Sequence, residues 1–363
     1  MAADNRPNPA VDAAIKILAA RNLHQCLWLR PSETHARLRV TFSTTSNFHD
    51  ASLPVVLFCG PMFGTRYLII PFDELAKNSG VRMICVDRPG FGGSTQVSLE
   101  KRMDVWLEMV PALLQHLGIE HVSLVSHSAG TIYLLNTIYH HRQILDPKSP
   151  YAAMVGPWVS QRHSNVTMLS AAAKLPNSVL SAWSPLVNFI NNTITPMTSW
   201  SGGVMSSVSG ASQPETGGSL DDSSAQEKYG VDAATAKELE RLWSKWSSEE
   251  QAMVGGNDEA RLLLGKGPVG VCEDYMEYVK LLVAAEQAQH LSRLEVQLCF
   301  AEDDMMIGKT GKDYFEQCWK QEAVHDAIGV ETRDFRGTNH ETVLVDTQRG
   351  AMKMIFDRIA AGE

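Results

Sequence analysis

The sequence has little cysteine, no excess of positive charge and no long apolar run, and each shortage excludes a class of protein. Its 363 residues include only 6 cysteines, which is sparse for a disulfide-stabilised scaffold, and their spacing matches no zinc motif. A formal net charge of -9 without clusters of Lys and Arg predicts no nucleic-acid partner. No stretch reaches the roughly 18 uninterrupted apolar residues that a membrane span needs.

Two further features bear on location. Residues 1–9 are polar and charged, without the apolar segment of a signal peptide. Cys59, Cys85 and Cys299 lie in or at the end of apolar, strand-like runs, as reduced buried thiols do. We therefore predict a soluble, cytoplasmic protein, and the sequence leaves its oligomeric state open.

A nucleotide or metal cofactor is also not expected. The loop from Asp87 to Ser94 contains three glycines, but their spacing is not Gly-x-Gly-x-x-Gly and no helix begins directly after them. His127, His140, His141 and His163 show no metal-ligand spacing. His127 is better explained as a packing residue than as a base.

What is present is an alternation of apolar runs and helical patterns. The run at 54–59 is continuously apolar, as in a strand buried on both faces of a parallel sheet, and a second buried run is predicted at 81–86. A β-rich segment begins at Val122, a further strand is predicted at 151–155, and two strands at 25–29 and 36–42 come before all of these. Helical patterns separate the later runs, and further strands are predicted at 295–300 and 329–335. The pattern predicts an α/β protein with a doubly wound, mostly parallel sheet.

The alternation stops between residues 156 and 270. We predict a core formed by residues 1–155 and 271–363, and a largely helical cap insertion at 156–270. Within it, the Ser- and Gly-rich stretch 199–224 is predicted to be a mobile surface loop that limited proteolysis cuts first. The insertion is rich in Trp and Met, which either line an apolar pocket or hold the cap together; these are Trp158, Trp183, Trp200, Trp243, Trp246, Met168, Met197 and Met205.

One turn carries the functional hypothesis. In Ser126-His127-Ser128-Ala129-Gly130, a serine stands between a strand and a helical run, with small residues two positions away on either side. This is the form of a nucleophile elbow, in which strand and helix must pass closely and the serine takes a strained backbone conformation. Ser126 replaces the usual first glycine, and it is also small. Ser128 is therefore the candidate nucleophile.

A serine hydroxyl attacks a carbonyl only when an imidazole accepts its proton and a carboxylate orients that imidazole. His340 follows the last predicted strand, and Glu302, Asp303 and Asp304 follow the strand before it. Since ligands bind at the carboxyl ends of such strands, we expect these side chains to lie near Ser128.

With these motifs in the order Ser, Asp, His, the chain resembles the α/β-hydrolase superfamily from about residue 54 to its end, the cap excepted. The family pattern Gly-x-x-Asp falls on Ala301-Glu302-Asp303-Asp304, which implies that Asp304 is the triad acid, with Asp303 as an alternative. The resemblance also implies two backbone donors for an oxyanion, one of them the N–H of Ala129. The second donor lies in the loop after the 54–59 strand, where this sequence departs from the family. Relatives have a His-Gly pair followed by the donor residue, whereas this chain has Cys59-Gly60 followed by Pro61, which has no N–H. Met62 is therefore the expected donor.

The resulting hypothesis is a serine hydrolase that cleaves an ester, thioester or lactone of a hydrophobic small molecule through an acyl-enzyme. Two alternatives remain open. One is a receptor-like binding protein that keeps the triad but turns over slowly, and the other is an acyl transferase or C–C bond hydrolase on the same scaffold.

Overall fold

The computed structural model describes residues 8–176, 220–249, 252–289 and 291–362. The strands, in chain order, are β1 (Gln25–Leu29), β2 (Leu38–Thr44), β3 (Val55–Cys59), β4 (Arg82–Val86), β5 (Ser123–Ser128), β6 (Tyr151–Pro157), β7 (Leu294–Asp303) and β8 (Ile328–Asn339). They form one sheet in the order β1-β2-β4-β3-β5-β6-β7-β8.

The strand directions agree with the sequence pattern. β1 pairs with β2, and β2 with β4, in antiparallel fashion, whereas all other neighbours are parallel. Every residue of β3, β4, β5 and β6 is buried, as expected for the central strands of a parallel sheet that is covered on both faces. The predicted doubly wound, mostly parallel sheet is confirmed.

Helices cover both faces of the sheet. In chain order they are α1 (Pro9–Leu18), α2 (Ile70–Ser79), α3 (Arg102–Leu117), α4 (Gly130–His140), α5 (Gln161–Ser164), α6 (Thr167–Ala173), α7 (Asp222–Tyr229), α8 (Ala233–Glu249), α9 (Ala252–Leu263), α10 (Tyr275–Gln289), α11 (Gly308–Trp319), α12 (Glu322–Ala327), α13 (Thr342–Val345) and α14 (Met352–Ala361). Two apolar clusters result, one on each face of the sheet.

The helical insertion divides its described helices between two places. α7 packs against α2, and α8 packs against α1, so both extend the layer on one face of the core. α9 instead reaches the loops at the carboxyl ends of the strands. The boundaries of the insertion, at residues 155 and 270, stay a prediction.

The tryptophans of the insertion also separate by role. Trp243 is buried in the cluster that joins α8 to the core, and the Trp246 ring lies 6.1 Å from the ring of His24. Trp158 lies at the end of β6, beside the candidate site described below. Trp183, Trp200, Met197 and Met205 fall outside the described residues.

Most of the predicted loop at 199–224 also lies outside the described residues, which resume at residue 220. Its last residues are helical rather than loop, because α7 begins at Asp222 and Asp221 caps it by accepting a hydrogen bond of 2.8 Å from the N–H of Ser224. Within the described ranges, no helix is both long and apolar enough to cross a membrane. All six cysteines are free thiols, and five of them are buried.

Candidate active site

The site lies where the parallel strands end at their carboxyl termini. β5 ends at Ser128, whose φ of 51° is in the left-handed region that residues other than glycine rarely adopt. α4 begins at Gly130, where a side chain would collide with the backbone of Cys59 at the end of β3. The turn is therefore possible only with glycine two residues after the serine, which is the steric reason for the motif.

Ser128, His340 and Asp304 form a continuous line of hydrogen bonds. His340 Nε2 lies 2.9 Å from Ser128 Oγ, and His340 Nδ1 lies 2.7 Å from Asp304 Oδ2. The three side chains come from the ends of β5, β7 and β8. With Nδ1 donating to Asp304, Nε2 is free to accept the serine proton.

Asp304, and not Asp303, is the carboxylate in contact with His340. The second oxygen of Asp304, Oδ1, accepts hydrogen bonds of 2.9 Å and 3.2 Å from the N–H groups of Met306 and Ile307, which fix the orientation of the group. Burial alone would raise the pKa of Asp304, but His340 and these two amides lower it below its ordinary value. Asp303 is exposed.

The contact between Asp304 and His340 also sets the pKa of His340. Burial by itself lowers the pKa of the imidazole, but the charge and hydrogen bond of Asp304 outweigh burial and raise the pKa above its ordinary 6.5. The imidazole is thus a stronger base than a free histidine, and its protonated form is stabilised where a proton would arrive from Ser128.

His127 has a supporting position in the site. Its Nε2 donates a hydrogen bond of 2.8 Å to the backbone carbonyl of His340. Burial, followed by the neighbouring His340, lowers the pKa of His127 to about 3, which keeps its ring neutral. Packing and a backbone contact therefore account for this residue, as the sequence analysis favoured.

The residues predicted to donate to an oxyanion flank Ser128 from two sides. Ala129 is the N-cap of α4, and the first N–H groups of a helix have no partner within it. Pro61 and Met62 follow β3 in a tight turn closed by a 2.9 Å hydrogen bond from Gly64 N–H to the Pro61 carbonyl, and Phe63 in this turn has a φ of 62°. Met62 lines the pocket together with Ser128.

Arg88 fixes this turn. Its guanidinium donates hydrogen bonds of 2.7 Å and 2.6 Å to the carbonyls of Gly60 and Pro61. In a trans peptide the N–H points opposite to the preceding carbonyl. With the Pro61 carbonyl directed at Arg88, the N–H of Met62 is directed away from Arg88.

Arg88 is in turn held by the insertion. Glu259, on α9, accepts from Arg88 Nε and Nη2 at 2.8 Å and 2.7 Å, and both side chains are at most 1% exposed. Arg102 approaches the same carboxylate at 3.8 Å and donates from its Nε to the Tyr133 hydroxyl. A bidentate, water-excluded pair of this kind fixes geometry as well as charge.

Two glycines let α9 come this close. A side chain at Gly256 would collide with the ring of Phe63, and one at Gly255 would collide with the backbone of Gly90. The N–H of Gly255 donates a hydrogen bond of 3.0 Å to the Gly90 carbonyl. The insertion therefore touches both the Pro61–Gly64 turn and the loop after β4.

An apolar pocket opens beside Ser128 and His340. It encloses about 490 Å³, counting the space at its mouth. Core and insertion share its walls, which are formed by Pro61, Met62, Trp158, Leu169, Ala260, Leu263, Leu264, Met306 and Glu341. Trp158 and Leu263 also line a second pocket that contains Arg162, His163 and Glu273, so they separate the two spaces.

Among the described residues that line the first pocket, Glu341 is the one with a carboxyl side chain. Glu341 is 2% exposed, and its Oε2 atom is buried without a hydrogen-bond partner among the described residues. Burial, opposed by the nearby His340, raises the pKa of Glu341 to about 7. The sequence analysis did not single it out, although an acid directly after the candidate histidine was a visible signal.

Arg88 and Glu259 were also missed, for different reasons. Arg88 lies in the loop from Asp87 to Ser94, which was interpreted through its glycines alone, although Asp87 itself accepts hydrogen bonds from Arg66 and Thr41. Glu259 lies 171 positions from Arg88, and nothing local connects them. Within the described ranges, no group of three or more His, Cys, Asp or Glu side chains is arranged to hold a metal ion.

Comparison with known proteins agrees with this architecture. Residues 54–150 match the family model described as alpha/beta hydrolase fold. A search of curated proteins found no match. Among solved structures, a bacterial membrane phospholipase A superposes with a TM-score of 0.56 at 10% identity, covering 97% of this chain and 90% of that one.

Two further structures cover almost all of both chains. A variant of the meta-cleavage product hydrolase from Pseudomonas fluorescens IP01 gives a TM-score of 0.53 at 14% identity, with 95% of this chain and 100% of that chain covered. A structure from work on carboxylesterases of the thaumarchaeon Nitrososphaera gargenis gives 0.51 at 15% identity, with 93% and 98% covered. At these identities the likeness concerns the fold.

Proposed function

The chain has the α/β-hydrolase fold, and on that premise we propose that it is a serine hydrolase acting on an ester, thioester or lactone of a hydrophobic small molecule. The observation that carries the proposal is the hydrogen-bonded line from Ser128 Oγ through His340 to Asp304, with distances of 2.9 Å and 2.7 Å. The strained elbow and the apolar pocket beside it support the same reading.

In the proposed reaction, Ser128 Oγ attacks the substrate carbonyl while His340 Nε2 takes its proton, and Asp304 stabilises the imidazolium. The negative oxygen of the tetrahedral intermediate accepts hydrogen bonds from the N–H groups of Met62 and Ala129. The C–O bond to the leaving group then breaks, and His340 returns its proton to the departing oxygen, which leaves an acyl group on Ser128. A water molecule, deprotonated by His340, then attacks the acyl carbon. The bond from that carbon to Ser128 Oγ breaks, His340 returns the proton to Oγ, and the carboxylic acid leaves.

The neighbouring folds include a carboxylesterase, a phospholipase A and a meta-cleavage product hydrolase. We prefer ester cleavage because the described wall of the pocket is mainly apolar, as a hydrophobic ester requires. Receptor-like binding, acyl transfer and C–C cleavage are outcomes that the test below separates.

The test combines labelling with turnover. A fluorophosphonate probe at neutral pH should add its mass to Ser128 in the wild-type protein and not in Ser128→Ala. A panel of short p-nitrophenyl esters should then give a burst of p-nitrophenol followed by continued release. Labelling without continued release, for every ester tried, would replace hydrolysis by single-turnover sensing, and release that requires an added alcohol would replace it by acyl transfer.

A cytoplasmic location belongs to the proposal as well. Five of the six free cysteines are buried, and burial raises the pKa of the Cys59 thiol to about 12, so it stays protonated and unreactive. Free thiols are typical of reducing compartments. Fractionation of cells that express the tagged full chain tests this directly.

A further inference from the structure

Glu341 occupies a costly position that the proposed mechanism leaves without a role. A carboxyl group buried without a hydrogen-bond partner loses the water it would otherwise bind, and nothing in the described chain replaces that water at Oε2. An apolar residue in the same wall would avoid this cost. The group therefore calls for a partner that arrives from the pocket.

The main chain of Glu341 is held in place beside the triad. Its N–H donates to the side chain of Asn339 at 3.1 Å, and its carbonyl accepts from Leu344 and Val345 at 3.1 Å and 3.3 Å. His340, directly before it, is fixed by Asp304, Ser128 and His127. Because the main chain is already ordered and the side chain is buried, a ligand that reaches the carboxyl group has little chain entropy to remove.

The rest of the pocket defines what that ligand must be. The other walls are almost entirely apolar, with Met62, Trp158, Leu169 and Met306 around the opening to Ser128. Among the described residues that line this pocket, Glu341 is the one whose side chain has a buried acceptor atom, Oε2, without a hydrogen-bond partner. A ligand that fits is therefore a mainly hydrocarbon ester with one hydrogen-bond donor.

We propose that Glu341 is a specificity-determining residue that accepts a hydrogen bond from a hydroxyl group on the acyl chain of the substrate. This inference rests on the proposed function, because it places the hydroxyl on the chain whose carbonyl meets Ser128. The preferred substrates are thus esters of hydroxylated, otherwise apolar acids.

A hydroxyl group fits this site better than an ammonium group. An ammonium ion would have to lose its water in an apolar pocket, and that cost often exceeds the gain from a new ion pair. The pKa of about 7 leaves the carboxyl group partly protonated at neutral pH. A hydroxyl donates to the ionised form and both donates to and accepts from the protonated form, whereas an ammonium suits the ionised form alone.

The test measures a preference within matched pairs. The substrates are ethyl esters of straight-chain acids, each with one hydroxyl group, and the position of that hydroxyl along the acyl chain differs by one carbon from each ester to the next. Each hydroxyl ester is paired with a control ester that has a methyl group at the same carbon. For wild type, we expect kcat/KM for the hydroxyl ester to exceed that of its methyl partner by about tenfold or more at one chain position. Glu341→Met should reduce this ratio to about one, and Glu341→Gln, which keeps an acceptor oxygen, should retain part of it.

Binding gives a second readout that needs no turnover. In the Ser128→Ala background, calorimetry should find the same pairwise preference in Kd, and Glu341→Met should abolish it. If Glu341→Met fails to fold, the infrared carboxyl band of Glu341, assigned with Glu341→Gln, should shift when the hydroxyl ester binds and not when the methyl ester binds.

The outcomes separate the two proposals. A wild-type protein that labels at Ser128 and turns over esters but has no hydroxyl preference at any position overturns the role of Glu341 alone. A binding preference without labelling or turnover supports Glu341 and overturns the hydrolase. A stronger preference for the amino analogue than for the hydroxyl ester, lost in Glu341→Gln, would make the ligand an amine and also overturn the inference as stated.

Discussion

Two turns face the same pocket but are held in different ways. The Ser128 turn is determined by its own neighbours in sequence: a buried strand before it, Gly130 two residues after it and a helix that begins at once. The turn from Pro61 to Gly64 is held by Arg88 and, through Arg88, by Glu259 on a helix of the insertion. The attacking group is thus supplied locally, and the expected oxyanion donor Met62 depends on a distant segment.

The largest loss is expected on the Ser128 side. Ser128→Ala and His340→Ala should each reduce kcat by about 10³-fold or more, and the double variant should be little worse than either, because the two residues act as a unit. Steady-state kinetics on one good ester measure this. Losses that multiply in the double variant would mean that the two residues act independently.

Asp304→Asn should lower kcat by about 10²-fold and also move the pH profile. Activity requires neutral His340, so kcat/KM falls as the pH drops through the pKa of His340, which Asp304 raises above 6.5. Without the negative charge of Asp304, burial dominates and lowers the pKa of His340. The acid limb of the kcat/KM profile should therefore shift to lower pH. The exposed neighbour gives the control: if Asp303→Asn moved the limb and Asp304→Asn did not, the acid would be Asp303.

At the Pro61–Gly64 turn, Glu259→Gln should lower kcat by roughly ten- to a hundredfold with a smaller change in KM. The substitution removes the charge that holds Arg88, and so loosens the turn that positions Met62. Glu286→Gln is a matched control, since Glu286 forms a second buried bidentate pair with Arg142. Breaking either pair should lower the free energy of unfolding by about 3–5 kcal/mol. Equal kcat values for the two variants would disprove the positioning role of Glu259.

The smallest effect concerns the wall between the two pockets. Trp158→Ala should join them and shift the preference toward longer acyl chains by several-fold, measured as kcat/KM across a chain-length series. Leu169→Ala, which changes a residue that lines the first pocket alone, should enlarge the space without this shift. A Trp158→Ala profile that matches that of Leu169→Ala would mean that the second pocket is not accessible to substrate.

The contrast between the turns also explains what the sequence could predict. The sheet, its strand directions and the meeting of Ser128, Asp304 and His340 follow from apolar runs and from short motifs at strand ends, which are local signals. The ion pair of Arg88 and Glu259, which holds the Pro61–Gly64 turn, joins residues 171 positions apart. No periodicity or short motif in the sequence indicates such a contact. Glu341 differs from both turns. Its place directly after His340 is visible in the sequence, but a role in ligand binding could be inferred only once its burial in the pocket wall was known.

The link from Arg88 to Glu259 has a kinetic consequence. A contact that closes a loop of 171 positions forms late, since the chain must lose the entropy of a long loop before the contact is made. The Ser128 turn needs only β5, α4 and their neighbours, so it can form with the sheet. Reactivity of Ser128 also needs His340, 212 positions away at the end of β8, and it therefore cannot return before the sheet is complete. On dilution from denaturant, reactivity of Ser128 toward a small probe should return with the last strands of the sheet, and full turnover should follow when α9 docks and fixes the Pro61–Gly64 turn.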